Sequence, residues 1–531
     1  MDNSWTEKHP LGMSGLPTVV IGAGFGGLAA AVELARRGEP VVVVEREPVA
    51  GGKARSIHVA GTAIDVGPTV LTMRWVFDAI FEAAGRRLED AVSLTPAGVI
   101  ARHAWGNGAT LDLFPELERS ADAIAAFAGA REAAAYRRFA ARGRAIAETV
   151  REPFLLAERP SIAGMLGTSA RLGLRSLAQI DAHRTMWRAI ASTFDDERLR
   201  ALFARYATYV GSSPFEAPAT LNLIAHVERE GVSVVEGGMT RLAGALAELA
   251  KDLGVTFLME SRVRKVLVTN GRASGVLIET AGGAREVLPA AAVVVNADIA
   301  SVASGALGEA ARAACPSVRP ERRSLSAITW AIVGSARGFP LAHHNVFFSD
   351  DYAAEHAALF GRRELPAEPT VYVCAQDRAA HEAAGPTRGA GDERLFVIVN
   401  APATADRRAP LTSEEVERCE RSMFSRLSKA GLRITPRAMA VTTPASFERL
   451  APGTGGALYG EASHGPFSAL ARPSSRTKLP GLFLAGGSVH PGPGVPMAAL
   501  SGRTAANAVL TDLASTRRSH RLVMVGSTST G

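Results

Sequence analysis

The chain has 531 residues, of which 47% are hydrophobic and 21% charged, enough apolar material to exclude disorder and enough length for one large discontinuous domain or two intertwined ones. The formal charge of +7 comes without a nucleic-acid-binding motif or any interleaving of aromatic and basic residues, so no nucleic acid is expected; Arg-rich exposed helices or an anionic membrane surface account for it. Cys315, Cys374 and Cys419 lie far apart with no CxxC or CxxH spacing, which argues against a disulfide framework or structural zinc and suits a reducing cytosol.

Residues 1–17 are polar and lack an apolar signal core, and no run reaches the ~18 apolar residues of a membrane span; neither a signal peptide nor a span is expected. Thr18 to Ile21 reads as a buried strand, Gly22 to Gly27 as a tight turn, Leu28 to Arg37 as a helix closed by Gly38, and Val41 to Glu45 as the next strand. The stretch from Ala121 to Gly231 has helical character. After Gly237-Gly238-Met239, a helical stripe of Leu242, Leu246 and Leu249 precedes strand-like segments at Val255–Leu258, Val263–Val268 and Val293–Val295. Ser324–Val333, Thr370–Cys374 and Leu395–Asn400 read as strands of another sheet. Gly481–Ala485 reads as a strand, followed by a Gly/Pro loop to Pro496 and a helix through about Leu513.

The predicted class is therefore α/β, a Rossmann-like nucleotide-binding domain with an interleaved α+β substrate domain. Residues 1–115, 232–300 and 478–515 are assigned to the first, residues 116–231 and 301–477 to the second with its helical insert, and residues 516–531 to a loose tail.

Gly22-Ala23-Gly24-Phe25-Gly26-Gly27 fits GxGxxG between a predicted strand and helix. Gly22 permits the tight turn, Gly24 lets backbone approach a pyrophosphate, and Gly27 allows close helix-to-strand packing, with the helix N-terminus facing the anion. Glu45 lies 45 − 27 = 18 residues beyond the last glycine, at the end of the second strand, where its carboxylate can accept from both ribose hydroxyls and would repel a 2′-phosphate. FAD and NAD both remain open at this point. The continuation Gly51-Gly52-Lys53-Ala54-Arg55 resembles flavoproteins of the amine oxidase and carotenoid desaturase superfamily and selects FAD, with Gly52, Lys53 and Arg55 near phosphate or the flavin edge.

From here the chain resembles the bacterial phytoene desaturase family over nearly its full length. The resemblance rests on Gly51 to Ser56, Asp65-Val66-Gly67-Pro68-Thr69-Val70-Leu71-Thr72-Met73, Gly237-Gly238-Met239, Val293-Val294-Val295-Asn296-Ala297-Asp298 and the loop Leu484 to Met497. Pro496-Met497-Ala498 within that loop is similar to the hydroxycarotenoid 3,4-desaturase (methoxyneurosporene dehydrogenase) subgroup. The resemblance implies an FAD-dependent desaturase that introduces the C-3,4 double bond into an acyclic 1-hydroxycarotenoid such as 1-hydroxyneurosporene or 1-hydroxylycopene. It implies flavin contacts from Gly486, Gly487, Val495, Pro496 and Met497, and an adenine contact near Val263. His490, beside the flavin, is the one side chain nominated for catalysis, since a histidine there either tunes the ring or caps the loop. His343-His344 is read as a solvated pair rather than a metal site, and no metal is expected.

Removing two hydrogens across a C–C bond needs a two-electron acceptor, which the flavin supplies, while the protein aligns an apolar chain in a dry tunnel. No nucleophile–base signature is expected or found. Oxygen or a quinone would reoxidise the flavin. A long lipid substrate implies a cytoplasmic protein peripheral to the inner face of the membrane, with the Arg138–Ile180 stretch (Arg144, Arg151, Arg171, Arg175 with Phe154, Leu155, Leu156, Ile162, Leu166) as the candidate contact. The alternatives are a phytoene desaturase, a flavin-dependent carotenoid isomerase, an amine oxidase or a non-redox prenyl-protein binding module. For amine oxidases that attach flavin to a C-terminal cysteine, the chain offers none beyond Cys419.

Overall fold

Four consecutive valines, Val41–Val44, and the run Thr18–Ile21 form strands buried at every position, the pattern of a parallel sheet covered on both faces. The computed structural model describes residues 15–160, 180–378, 391–407 and 410–526. These two strands lie in a five-stranded parallel sheet ordered Leu482–Leu484, Ala292–Val295, Thr18–Ile21, Val41–Val44, Thr256–Leu258. Alternate side chains divide between two cores. Val20, Val43, Val294 and Phe483 pack with the fingerprint helix Phe25–Ala35, the helix Met239–Asp252 and the C-terminal helix. Val19, Val42, Val293 and Leu484 pack on the other side with the antiparallel sheet of Arg262–Thr269, Arg272–Glu279 and Arg285–Pro289.

A second sheet has seven strands in the order Arg433–Thr442, Ser326–Arg337, Glu393–Ala401, Val371–Ala375, His344–Phe347, Ala101–Ala104, Thr110–Leu113. All neighbours are antiparallel except His344–Phe347 and Ala101–Ala104, which run parallel. One face is covered by the helix Ser413–Lys429 through Cys419, Met423 and Leu427. The other meets the hairpin Ser56–Val59/Thr62–Asp65, whose Val59 and Ile64 pack with Cys374 and Phe396. Helices Leu117–Ala128, Ala130–Val150, Met186–Ala191 and Glu197–Ala204 surround a separate core containing Phe139, Phe194 and Phe203.

Three segments depart from the sequence-based division. Ala101–Ala104 and Thr110–Leu113 fall within 1–115 yet extend the seven-stranded sheet, because their ladder partner is His344–Phe347. Ala311 and Ala314, within 301–477, bury against the five-stranded sheet's second core. The C-terminal helix spans Val495–Gly526 and so takes up much of the expected loose tail. Strong helix formers such as Leu513, Ala514 and Arg517 carry it onward, and Arg517 pairs with Glu39 at 2.8 Å.

Candidate flavin and substrate site

Strand register brings the glycine motifs together. Ile21 opposes Val295 in the parallel ladder, so Asn296 stands beside Gly22, where its Nδ2 donates to the Gly22 carbonyl at 3.2 Å. A Cβ on Gly27 would lie 2.0 Å from the Gly22 carbonyl oxygen, and one on Gly26 would lie 2.6 Å from Asn296 Oδ1 and 2.9 Å from the Gly486 nitrogen. Gly52, at φ +62, has its Cβ position 3.2 Å from Gly24 Cα. Gly22, Gly24, Gly26, Gly27, Gly52 and Gly486 therefore converge from three distant stretches of chain. Gly24 caps the fingerprint helix without a side-chain acceptor, which leaves the first-turn N–H groups for an anion.

Glu45 is buried. Its Oε2 accepts from the Ala23 nitrogen at 2.6 Å and its Oε1 from the Glu47 nitrogen at 2.9 Å, so the carboxylate is fixed at the tip of the second strand. Val263 shares a core with Ile21, Val42 and Val44 at the same sheet end. Lys53 is exposed at the surface, yet protein crowded around it desolvates the ammonium and lowers its pKa, Asp298 opposing the shift. Its Nζ donates to the Leu458 carbonyl. Arg55 lies over the Phe447 ring at 5.7 Å, with burial lowering its pKa against the opposing charge of Glu47. Backbone exposed by glycines, the desolvated cation of Lys53 and a helix N-terminus form a cradle that fits a dinucleotide pyrophosphate.

The C-terminal loop closes this cradle. Gly486 donates to Ser501 Oγ at 3.2 Å, and Ser488 Oγ accepts from the Ile299 nitrogen at 3.0 Å. Gly487 has only ordinary neighbours, Pro493 Cα at 3.5 Å being the nearest to its Cβ position. Pro496 is buried at the second position of the C-terminal helix, flanked by partly buried Val495 and Met497, where a missing N–H is tolerated. His490 is 1% exposed; its Nε2 donates to the Ala157 carbonyl at 3.1 Å and its ring meets Phe154 edge-on. Burial pushes the imidazole down to about 4, so it is neutral at pH 7, with Nδ1 an acceptor without a partner among the described residues.

Residues 25–510 match the family described as flavin containing amine oxidoreductase. The chain belongs to that family. It is 48% identical to a hydroxyneurosporene desaturase of Rubrivivax gelatinosus, covering 96% of each chain, and 43% identical to one of Cereibacter sphaeroides, covering 94% of this chain and 98% of the relative. A 4,4'-diapolycopene oxygenase of Methylomonas is 30% identical over 93% of this chain and 98% of the relative. Among solved structures, a putrescine oxidase superposes with a TM-score of 0.56 at 14% identity, covering 93% of this chain and 99% of that one. An oxidoreductase from Methanosarcina mazei gives 0.54 at 17%, covering 93% and 100%. These two likenesses concern the fold alone. The flavin oxidoreductase assignment makes FAD the cofactor of this chain.

Outside the cradle, this flavoenzyme corrects one expectation and adds a cluster that the sequence does not reveal. His343 and His344 are buried rather than solvated, at 8% and 2% exposure, because His344–Phe347 is an interior strand of the seven-stranded sheet. His344 Nδ1 and the Tyr372 hydroxyl lie 2.7 Å apart, and that hydroxyl lies 2.7 Å from Thr69 Oγ1. His343 Nδ1 donates to the Arg378 carbonyl at 3.0 Å, and its Nε2 is 3.6 Å from Cys374 Sγ. Burial pushes the Cys374 thiol up to about 12, so the sulfur remains protonated. All three cysteines are free and buried.

Asn296 is the cradle residue that sequence reasoning left without a role; its position directly after a predicted strand was the available signal. Of the expected membrane-facing stretch, Ile162, Leu166, Arg171 and Arg175 lie outside the described residues. Arg144 pairs with Glu148 at 2.7 Å, Arg151 lies over Trp75 at 4.9 Å, and Leu156 is exposed. Among the described residues no helix is long and apolar enough to cross a membrane.

Proposed function

We propose that this chain is an FAD-dependent desaturase in carotenoid biosynthesis that introduces the C-3,4 double bond into an acyclic 1-hydroxycarotenoid such as 1-hydroxyneurosporene or 1-hydroxylycopene. The observation that carries this reading is the 48% identity, over 96% of both chains, to a hydroxyneurosporene desaturase. The cradle supports it. Gly22, Gly24, Gly27 and Gly52 would expose backbone to the pyrophosphate, and Lys53 and Arg55 would face its charge. Glu45 would orient the ribose and Val263 would lie by the adenine, while Gly486, Gly487, Val495, Pro496 and Met497 would line the ring. Bound FAD supplies the two-electron acceptor that C–C desaturation requires.

The chain's own part is to bind, align and keep water away. We assign His490 to holding the C-terminal loop against residues 154–157, with its bare Nδ1 as the atom able to take a proton. The two sheets divide the work, the five-stranded one holding cofactor and the seven-stranded one facing substrate. A peripheral contact with the inner face of a membrane, and reoxidation by oxygen or a quinone, complete the proposal. Incubating the flavin-loaded protein anaerobically with 1-hydroxyneurosporene, lycopene and phytoene tests it: the hydroxylated carotenoid should be consumed first, whereas reaction of phytoene alone would overturn the substrate assignment.

A further inference from the structure

A group of polar side chains sits where the two sheets meet. The loop after Asp65 is held on one side by the cradle: the Val66 nitrogen donates to the Arg55 carbonyl at 2.9 Å, and a Cβ on Gly67 would lie 2.3 Å from the Lys53 carbonyl oxygen. On the other side it is held by the seven-stranded sheet, because Gln376 Nε2 donates to the Asp65 carbonyl at 2.7 Å and Thr69 bonds Tyr372. The chain Thr69–Tyr372–His344 thus starts two residues from the cradle contact and ends at His344 Nε2, which is buried and has no partner among the described residues.

A second polar group adjoins it. The Arg205 guanidinium donates to the Tyr209 hydroxyl at 2.9 Å, its one hydrogen bond among the described residues, and lies over that ring at 4.9 Å. The Tyr206 and Tyr209 hydroxyls both donate to Glu228, so the buried cation and anion are bridged by Tyr209. Tyr209 and Tyr372 pack against the same aromatic core, and the charge of Arg205 acts to lower the pKa of both His344 and Tyr372. Val70 and Tyr372 pack into the adjacent aromatic core, so the surroundings are otherwise apolar.

The hydrogen-bond logic of the chain selects its ligand. If His344 Nδ1 donates to Tyr372, the Tyr372 hydroxyl donates to Thr69, Thr69 keeps a free O–H and His344 Nε2 keeps a lone pair. If the direction is reversed, His344 Nε2 becomes a free donor and Thr69 a free acceptor. Either way the chain ends in one donor and one acceptor, and burial keeps His344 neutral. An alcohol can both donate and accept at its oxygen, so it pairs with the open end of the chain whichever way the bonds run, whereas an ion matches only one direction. In a 1-hydroxycarotenoid the hydroxyl carbon is two bonds from C3, so the hydroxyl must lie close to the reacting bond and hence close to the cradle.

Resting on the substrate reading above, we infer that Thr69, Tyr372 and His344, with Arg205 and Tyr209 behind them, bind the tertiary hydroxyl of the carotenoid and set the enzyme's preference for hydroxylated over plain hydrocarbon substrates. A hydrocarbon end would leave these groups unpaired, the situation in which polar sites discriminate strongly.

The test uses dithionite-reduced, flavin-loaded protein, in which no turnover occurs, and follows carotenoid binding by the shift of its absorption band in detergent. Wild type should bind 1-hydroxyneurosporene more tightly than neurosporene. Tyr372→Phe should weaken the hydroxylated ligand at least tenfold, about 1.4 kcal/mol, and neurosporene less than twofold. Equal weakening of both, or of neither, overturns the inference. Tyr209→Phe keeps the ring, and its selective loss of about threefold decides the matter if Tyr372→Phe releases flavin. A wild type that fails to desaturate 1-hydroxyneurosporene removes the substrate reading itself; a wild type that desaturates it, with variants as selective as the parent, overturns the hydroxyl site alone.

Discussion

Gly502 sits where the C-terminal helix crosses the fingerprint helix, and replacing it with alanine tests how closely the cradle is built. A Cβ there would lie 2.0 Å from the Gly26 carbonyl oxygen, 2.9 Å from its carbon and 3.0 Å from the Ala30 nitrogen. All three obstacles are backbone, so no side chain can swing aside, and the helices must separate until the closest contact opens from 2.0 Å to at least 3.0 Å. Overpacking of this kind costs about 1–3 kcal/mol. Gly26 also faces the Gly486 nitrogen, so the same separation widens the glycine cradle. Gly244 serves as the internal control: it is also helical, yet a Cβ there meets nothing within 4 Å, and alanine should stabilise by about 0.5–1 kcal/mol through helix propensity. Thermal denaturation and the ratio of flavin to protein absorbance check both. Gly502→Ala should lower Tm and flavin content, Gly244→Ala should raise Tm with flavin unchanged. A Gly502→Ala protein with parental Tm and full flavin would refute the reasoning.

Other perturbations follow from the same geometry. Asn296→Ala removes the hydrogen bond to the Gly22 carbonyl and should weaken FAD binding about tenfold, or ~1.4 kcal/mol, as read by flavin titration of the apoprotein; unchanged affinity would show that Asn296 does not organise the turn. Removing FAD should lower Tm, since at 100 times Kd the ligand contributes about 2.7 kcal/mol, and adding it back should restore the value. Among the described residues neither nitrogen of buried His356 has a partner, and desolvation holds it down to about 3, helped by the charge of His464 and opposed by Glu216. Its neutral form therefore contributes stability above its unfolded value of 6.5, a contribution lost as pH falls from there toward 3, about 2 kcal/mol by pH 5. His356→Leu should close that difference, so its Tm relative to wild type should improve between pH 7.5 and pH 5 (roughly this window); parallel curves would contradict the assignment.

The five-stranded sheet was legible because parallel strands buried on both faces are written as short apolar runs, and Thr18–Ile21, Val41–Val44 and Val293–Val295 are such runs. The cradle was legible through its glycines: close backbone approach at Gly22, Gly24, Gly27, Gly52 and Gly486 leaves a compositional mark. Asn296 left none beyond its place after a strand, since its role arises from register with Gly22. The polar cluster was invisible for a similar reason. Thr69, Arg205, His344 and Tyr372 meet only through the tertiary fold, and two adjacent histidines read as solvated until the strand containing His344 is seen between neighbours on both sides. The pairing of Ala101–Ala104 with His344–Phe347 likewise depends on contacts between distant segments that no local pattern encodes.

The central claim is that the cradle holds a flavin which accepts two hydrogens from a hydroxylated acyclic carotenoid. A single anaerobic turnover of the flavin-loaded protein with 1-hydroxyneurosporene, monitored by flavin absorbance and product mass, tests it most directly. The account predicts bleaching of the oxidised flavin band in step with a product lighter by two hydrogens. A product of unchanged mass, or a flavin that stays oxidised while the carotenoid is untouched, would contradict it.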